Sequence, residues 1–333
     1  MSRVLVTGGA GFIGSHLVDK LIKEGNEVYV IDDFSGGFRG NLNSDFTNLI
    51  EGDLRLHTSV DYAFQKVKPE IVFHLAANAA ENKAQFSPID ITSRNYSAFI
   101  NTLTPFIKYG GKRFIFTSSI AVYGKGQVPF KETDKPEPED LYGISKLAAE
   151  QTLEVMSKVH GFEYVIARPH NVYGPRQNMT DPYRNVVTIW MNALLQGKPY
   201  YIYGDGEQKR CFSYIDDVVE ALYRCMTENV WDMTFNVGAD KPYTLNELNE
   251  AILKASGSNV KAVYLDERPQ EVKEAISDHT LAKKHLFYQD KTSLQEGIKK
   301  TWEWVKSVGY QQPVYTELEI DSDKVPLNWK THL

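Results

Sequence analysis

A strand-forming run, Val4-Leu5-Val6-Thr7, leads directly into Gly8-Gly9-Ala10-Gly11-Phe12-Ile13-Gly14, and a helix-patterned segment follows. This glycine-rich turn constrains the chain more than any other feature. Side chains would block the close approach of a backbone to a pyrophosphate, whereas a helix N-terminus offers unpaired N–H groups and partial positive charge. Gly8, Gly11 and Gly14 meet both demands, with Phe12 and Ile13 in the same turn. The strand-turn-helix context separates the motif from a chance match, although glycines alone also suit an ordinary tight turn. The second strand ends at Ile31-Asp32, eighteen residues past Gly14, where a carboxylate bonds a ribose 2′-hydroxyl and repels a 2′-phosphate. The cofactor expected is therefore NAD rather than NADP, unless Asp32 merely caps a helix. Asp53, after the third strand, either touches the adenine or only ends that strand.

The chain from residue 3 to about 168 alternates short strand-like runs with helical patterns, the signature of a parallel sheet covered by helices. Strands are expected at Val4–Thr7, Glu27–Ile31, Thr47–Glu51, Ile71–His74, Arg113–Thr117 and Tyr164–Ala167, with helices at 12–24, 59–67, 90–109 and 141–160. Beyond residue 170 the pattern loosens, with helices expected at 182–196, 214–226, 245–255, 278–285 and 292–307 and short strands near 201–203, 233–236 and 261–265. The fold class predicted is α/β: a Rossmann-type doubly wound parallel sheet over residues 1–169, and a smaller α/β substrate lobe over 170–308 with some chain crossing. Residues 309–333 form a tail too irregular to assign.

A formal charge of −6, without a basic run, argues against a nucleic-acid partner. No apolar stretch approaches the 18 or so residues of a membrane helix, and the N-terminus has no signal-peptide pattern, so a cytoplasmic protein is expected. The two cysteines, Cys211 and Cys225, fit neither a disulfide framework nor metal-ligand spacing. Reduced thiols and no metal are expected.

Tyr142 and Lys146 stand four apart in Tyr-Gly-Ile-Ser-Lys, on one face of a helical run. A free phenol is a poor base at neutral pH, but positive charge from a lysine and an oxidised nicotinamide favours the phenolate. Such a group suits proton exchange with a sugar hydroxyl. Ser119 follows the fifth strand, at the carboxyl edge where open α/β sheets bind ligands, placed to hydrogen-bond the same hydroxyl. Each residue alone has an ordinary alternative, a surface helix pair or a strand-end serine. Their position downstream of a complete nucleotide fingerprint favours the catalytic reading.

Further motifs are His74-Leu75-Ala76-Ala77, Arg168-Pro169-His170-Asn171-Val172-Tyr173-Gly174-Pro175, Gly204-Asp205-Gly206, Arg210 before Phe212, and Arg268-Pro269. Together with the turn and Ser119, Tyr142 and Lys146, they resemble an extended short-chain dehydrogenase/reductase, specifically a nucleotide-diphosphate-sugar epimerase of the UDP-glucose 4-epimerase type. The resemblance runs from residue 3 to about 307. It implies Ser119, Tyr142 and Lys146 as catalytic residues, and Leu54, Ala76, Asn95, Tyr142 and Lys146 at the cofactor with the residues above. It further implies Asn171, Asn185, Arg210 and Arg268 at the substrate diphosphate, where arginine forks serve well. Ser119 and Ala275 would border the sugar, a small residue at 275 admitting a 2-acetamido group. The partner implied is a nucleotide-diphosphate sugar, UDP-hexose favoured, and the assembly a homodimer through helices 90–109 and 141–160.

Departures narrow the chemistry. Related dehydratases place an Asp-Glu pair after the serine or threonine and related decarboxylases keep a glutamate second, but here Ile120 and Ala121 follow Ser119. Neither moves a proton. Cys211 and Glu271 stand where many relatives have aspartate. The competing readings are a reduced-cofactor-dependent 4-ketosugar reductase, against which Asp32 argues, and a non-catalytic nucleotide sensor or scaffold, which would not need Ser119, Tyr142 and Lys146 together.

Overall fold

The computed structural model describes residues 1–184, 186–267 and 272–330. In chain order the first elements are β1 (Arg3–Thr7), α1 (Phe12–Lys23), β2 (Glu27–Asp32), β3 (Leu49–Glu51), α2 (His57–Val67), β4 (Ile71–His74), α3 (Glu81–Ala84), α4 (Pro88–Thr92), α5 (Ala98–Lys108), β5 (Arg113–Thr117), α6 (Leu141–His160) and β6 (Glu163–Pro169). They are followed by β7 (Val172–Tyr173), α7 (Val186–Leu195), β8 (Tyr201–Tyr203), β9 (Lys209–Cys211), β10 (Ser213–Tyr214), α8 (Ile215–Thr227), β11 (Met233–Val237), β12 (Pro242–Thr244) and α9 (Leu245–Ser256). The last are β13 (Val263–Leu265), β14 (Glu274–Ala275), α10 (Thr280–His285), α11 (Leu294–Val308) and α12 (Leu327–Lys330).

Seven strands form one parallel sheet in the order β11-β6-β5-β4-β1-β2-β3. Because side chains alternate across a strand, both faces need apolar cover. Val4 and Val6 meet Leu17, Val18 and Leu21 of α1 on one face, while Leu5, Val72, Phe114 and Phe116 pack with Phe64, Phe99 and Leu153 on the other. The strand order reverses between β1 and β4, so the helices that follow them leave toward opposite faces and open a crevice at the carboxyl edge. This is the doubly wound α/β fold expected.

One detail of the winding concerns the site. Residues 90–109, expected as a helical stretch, lie in one continuous helical run, in which α4 and α5 are joined by a π-helical turn, Ser93–Ser97. The wider winding turns Asn95 inward, where its Oδ1 accepts from Asn78 N at 2.8 Å and its Nδ2 donates to Asn78 O at 3.0 Å. Beyond residue 170 the chain crosses back: β11 pairs with β6 in the central sheet, and α8 packs on α1. The smaller lobe is built on α7, α9 and short ladders, β12-β9-β14 and β13-β8, whose two- and three-residue strands are too short to show periodicity in sequence.

Helix α6 carries the expected Tyr142 and Lys146 and runs over the expected residues. Asp140 caps it, its Oδ1 accepting from Gly143 N at 2.8 Å, and Gly161 in the left-handed conformation ends it. Its Glu150 makes a two-pronged pair with Arg168 of β6, Nε to Oε1 at 2.9 Å and Nη2 to Oε2 at 2.5 Å, and Arg168 also donates to Tyr123 Oη at 2.7 Å. Both charged groups are buried, so removing one leaves the other uncompensated. Glu150→Ala should destabilise the fold by about 3–5 kcal/mol, measured by denaturant titration; a loss under about 1 kcal/mol, the range of a surface pair, would show that the pair does not clamp α6 to the sheet.

Candidate active site

The turn between β1 and α1 is built for an anion. Gly8 has φ +68°, and a β-carbon there would lie 2.8 Å from the Cα of Ala76, at the end of β4; one on Gly14 would collide with the Gly8 carbonyl oxygen. Gly11 begins α1 without a side-chain cap, and no acidic residue stands in the first turn. The first N–H groups therefore face a cradle that side chains would fill. A dinucleotide pyrophosphate fits it. Gly8, Gly11, Phe12, Ile13 and Gly14 all line the cavity above the turn, as do Asp32, Asp53, Leu54 and Ala76.

Asp32 is buried at the end of β2, its carboxylate accepting from Ala10 N at 2.9 Å and Phe34 N at 2.8 Å. Burial raises its pKa and those two N–H groups draw it back down. Each oxygen keeps a lone pair, so the group that fixes the turn also has acceptors for a ribose. Asp53 is held by Arg55 in a two-pronged pair, Nη2 to Oδ2 at 2.7 Å, which lowers its pKa. Sequence reasoning missed Arg94, which bonds Asp33 at 3.0 Å and Asp90 at 2.7 Å and so ties the β2 loop to α4. Asn95, expected beside the cofactor, has its amide committed to the backbone of Asn78, and it is Asn78 that lines the cavity.

Ser119, Tyr142 and Lys146 come together at the carboxyl edge of the sheet, all three buried and all lining the cavity. Ser119 accepts from Ala121 N at 3.1 Å. Lys146 Nζ donates to the Thr117 carbonyl at 2.7 Å and lies 4.8 Å from the Phe116 ring centre and 5.8 Å from that of Tyr142. Burial pushes the lysine down to about 7 despite the Glu150 carboxylate. The phenol is expected to ionise beside lysine and an oxidised nicotinamide together, and the protein alone supplies only the first. Burial and then the Glu81 carboxylate push the Tyr142 pKa up, with Asp140 adding to them, while a hydrogen bond with Ser119 and the charge of Arg184 pull it down. In the protein alone, Tyr142 is a neutral phenol.

The second lobe supplies the opposite wall. Asn171, with φ +42°, sits where β6 hands over to β7 and lines the cavity with Arg210 of β9. Arg210 donates to the Lys209 carbonyl at 2.9 Å and stands opposite Ala275 in the β9–β14 ladder. Ala275 is buried at the cavity wall. Asn185 and Arg268 lie outside the described residues. The whole cavity measures about 1600 Å³, beyond the roughly 300–1,000 Å³ of a site for one small ligand. Lys83 and Arg184, not singled out from sequence, also line it, as do Tyr315 and Trp329 of the tail. No spacing marks them, since they arrive from loops and from one-turn helices, α3 and α12.

Residues 4–238 match the family described as NAD dependent epimerase/dehydratase. The chain is 38% identical to a UDP-glucose 4-epimerase of Thermotoga maritima solved with UDP-glucose, covering 92% of this chain and 99% of that one at a TM-score of 0.86. A UDP-N-acetylglucosamine 4-epimerase of Methanobrevibacter ruminantium, solved with UDP-N-acetylmuramic acid, is 34% identical with the same coverage and TM-score. A UDP-N-acetyl-alpha-D-glucosaminuronate decarboxylase of Bacillus cytotoxicus is 32% identical over 92% of this chain and 98% of its own.

The geometry at Asp32 sets a cofactor test. Cofactor released from the purified protein should be NAD(H), and Asp32→Ala should weaken its retention and narrow the preference over NADP(H). Predominant NADP(H) in the unaltered protein would overturn the assignment of Asp32.

Proposed function

Because the chain belongs to the NAD-dependent epimerase/dehydratase family of extended short-chain dehydrogenase/reductases, we propose that it is an NAD-dependent epimerase acting at C4 of a nucleotide-diphosphate sugar, UDP-hexose favoured. The observation that carries this reading is the meeting of Ser119, Tyr142 and Lys146 beside two side chains that are neither acid nor base, Ile120 and Ala121, which line the same cavity. Elimination or decarboxylation needs a further acid or base at that edge. Oxidation and re-reduction at one carbon do not.

When bound, NAD supplies the hydride acceptor and donor and, oxidised, a positive charge beside the phenol. Ser119 donates a hydrogen bond to the sugar 4-oxygen and Tyr142 takes the 4-hydroxyl proton. Lys146 holds the ribose and the Thr117 carbonyl and supports the ionised phenol. The 4-keto sugar then turns about its diphosphate, which Asn171, Asn185, Arg210 and Arg268 hold, and Tyr142 returns the proton when C4 is reduced on its other face. Clamping the nucleotide while leaving the sugar free to turn suits an enzyme that binds both epimers.

The proposal extends to a cytoplasmic homodimer. Among the described residues, no helix is long and apolar enough to cross a membrane. Ile144, Val155 and Val159 of α6 are exposed apolar side chains, which supports pairing through this helix.

NMR of a panel of UDP-, dTDP-, GDP- and CDP-sugars incubated without added cofactor tests the reading: interconversion of a 4-epimer pair is expected. Stoichiometric consumption of reduced cofactor would favour a reductase, and nucleotide binding without turnover a sensor. Tyr142→Phe should lower turnover by at least about 10²-fold while cofactor stays bound. Since burial raises the phenol, activity should climb with pH along its acid limb, and Lys146→Ala should move that limb upward. An unchanged limb would leave lysine with positioning alone. Ala275 tests sugar size: the protein should accept UDP-N-acetylglucosamine comparably to UDP-glucose, and Ala275→Tyr should depress only the acetamido reaction. Equal losses on both sugars would remove Ala275 as the size gate.

A further inference from the structure

The tail beyond α11, unassignable from its sequence, takes a defined path across the mouth of the cavity. It first binds the second lobe through reciprocal bonds: Gln311 N donates to Asn192 Oδ1 at 3.0 Å and Asn192 Nδ2 to Gln311 O at 2.7 Å. Val314 N follows, donating to Thr180 O at 2.8 Å. Thr316 N then donates to Tyr183 Oη at 3.2 Å, and Tyr183 Oη to Thr316 O at 3.0 Å. The chain next crosses to the first lobe. The Glu319 carboxylate accepts from Ile89 N and Asp90 N at 2.7 Å each, and Ile320 N donates to Phe86 O at 2.9 Å.

Its end is anchored by packing. Trp329 is buried edge-on to Tyr183, ring centres 5.0 Å apart, and to Phe86 at 6.1 Å. Trp329, Val325 and Tyr183 share one apolar cluster with Ala80, Ala84, Ile91 and the catalytic Tyr142. Tyr315, Thr316, Glu317, Glu319 and Trp329 line the cavity itself. The strap therefore touches both lobes, forms part of the wall, and helps exclude water from the cluster that holds the phenol.

We propose that the segment from Tyr310 to Trp329 is a working wall of the active site that confines the sugar, with Glu319 and Trp329 as positioning residues that keep it seated. This rests on the epimerase reading, because a 4-keto sugar has to turn over without leaving. Escape of the ketone would leave the two electrons taken from C4 on the cofactor as NADH, with no ketone to return them to. A seated strap keeps oxidation and reduction paired, and an unseated one uncouples them.

The test uses full-length Glu319→Ala, Trp329→Ala and Trp329→Phe, with UDP and UDP-glucose as probes. Calorimetry should find UDP affinity nearly unchanged in all three. Trp329→Ala and Glu319→Ala should bind UDP-glucose at least about tenfold more weakly, as loss of positioning contacts does, and should accumulate absorbance at 340 nm during turnover. Trp329→Phe should restore most of both, and cofactor content should match wild type. Equal losses for UDP and UDP-glucose, or variants with unchanged binding and no accumulation at 340 nm, would overturn the proposal. A wild type that binds UDP-glucose without converting it would contradict the epimerase reading while calorimetry still decides the strap; one that binds neither probe would overturn both.

Discussion

The structure depends on one close approach, that of Gly8 at the end of β1 to Ala76 beyond β4, where a single added carbon would strike the backbone. Neighbouring parallel strands whose helices leave in opposite directions leave a crevice between them, and only a glycine lets the two strand ends stay together at its floor. Thr7 Oγ1 accepts from Ala76 N at 3.3 Å and lies 3.0 Å from Nδ1 of His74, whose ring burial drives to about 3 and so keeps neutral. A charge there would face an apolar shell of Phe99, Phe114 and Phe116. The crevice floor at His74 is thus uncharged and closely packed, and Asp32, Tyr142 and Lys146 stand around it at the cavity.

That separation matters for the chemistry. Burial that keeps water away also makes both Tyr142 and Lys146 reluctant to carry charge, the phenol raised and the ammonium lowered. Both shifts disfavour the charged form for the same reason, lost hydration. Under the proposed epimerase reading the phenol is neutral in the protein alone, and a positively charged cofactor entering the cavity favours its ionisation, which couples proton removal to a filled site.

The first lobe was legible because its rules are local and periodic. Short continuous apolar strands, a glycine turn, the Asp140 cap and Gly161 at the end of α6 each write their positions into the sequence. Ser119, Tyr142 and Lys146 were legible because helical spacing and strand order bring them to one edge. Residues 90–109 showed their helix but not its π turn, because apolar spacing does not distinguish α from π winding and the inward turn of Asn95 answers to the loop at Asn78. Lys83, Arg184 and the tail were invisible for a related reason: their positions follow from tertiary contacts rather than from any repeat. The hold of Lys146 on the Thr117 carbonyl, and the burial that lowers its pKa, are tertiary effects that spacing alone does not carry.

The return of the chain to the central sheet through β11 bears on how such a protein is able to evolve. A recombination junction placed near residue 170, the obvious seam in the sequence, would draw the sheet's edge strand and the helix α8 that covers α1 from the incoming half, and a β11 that failed to match would leave β6 without its neighbour. Exposed β6 would then present unpaired backbone groups to any passing strand. Exchange of substrate lobes thus requires that residues 215–237 fit the β6 and α1 surfaces they cover, whereas the short ladders and the tail lie outside the central sheet.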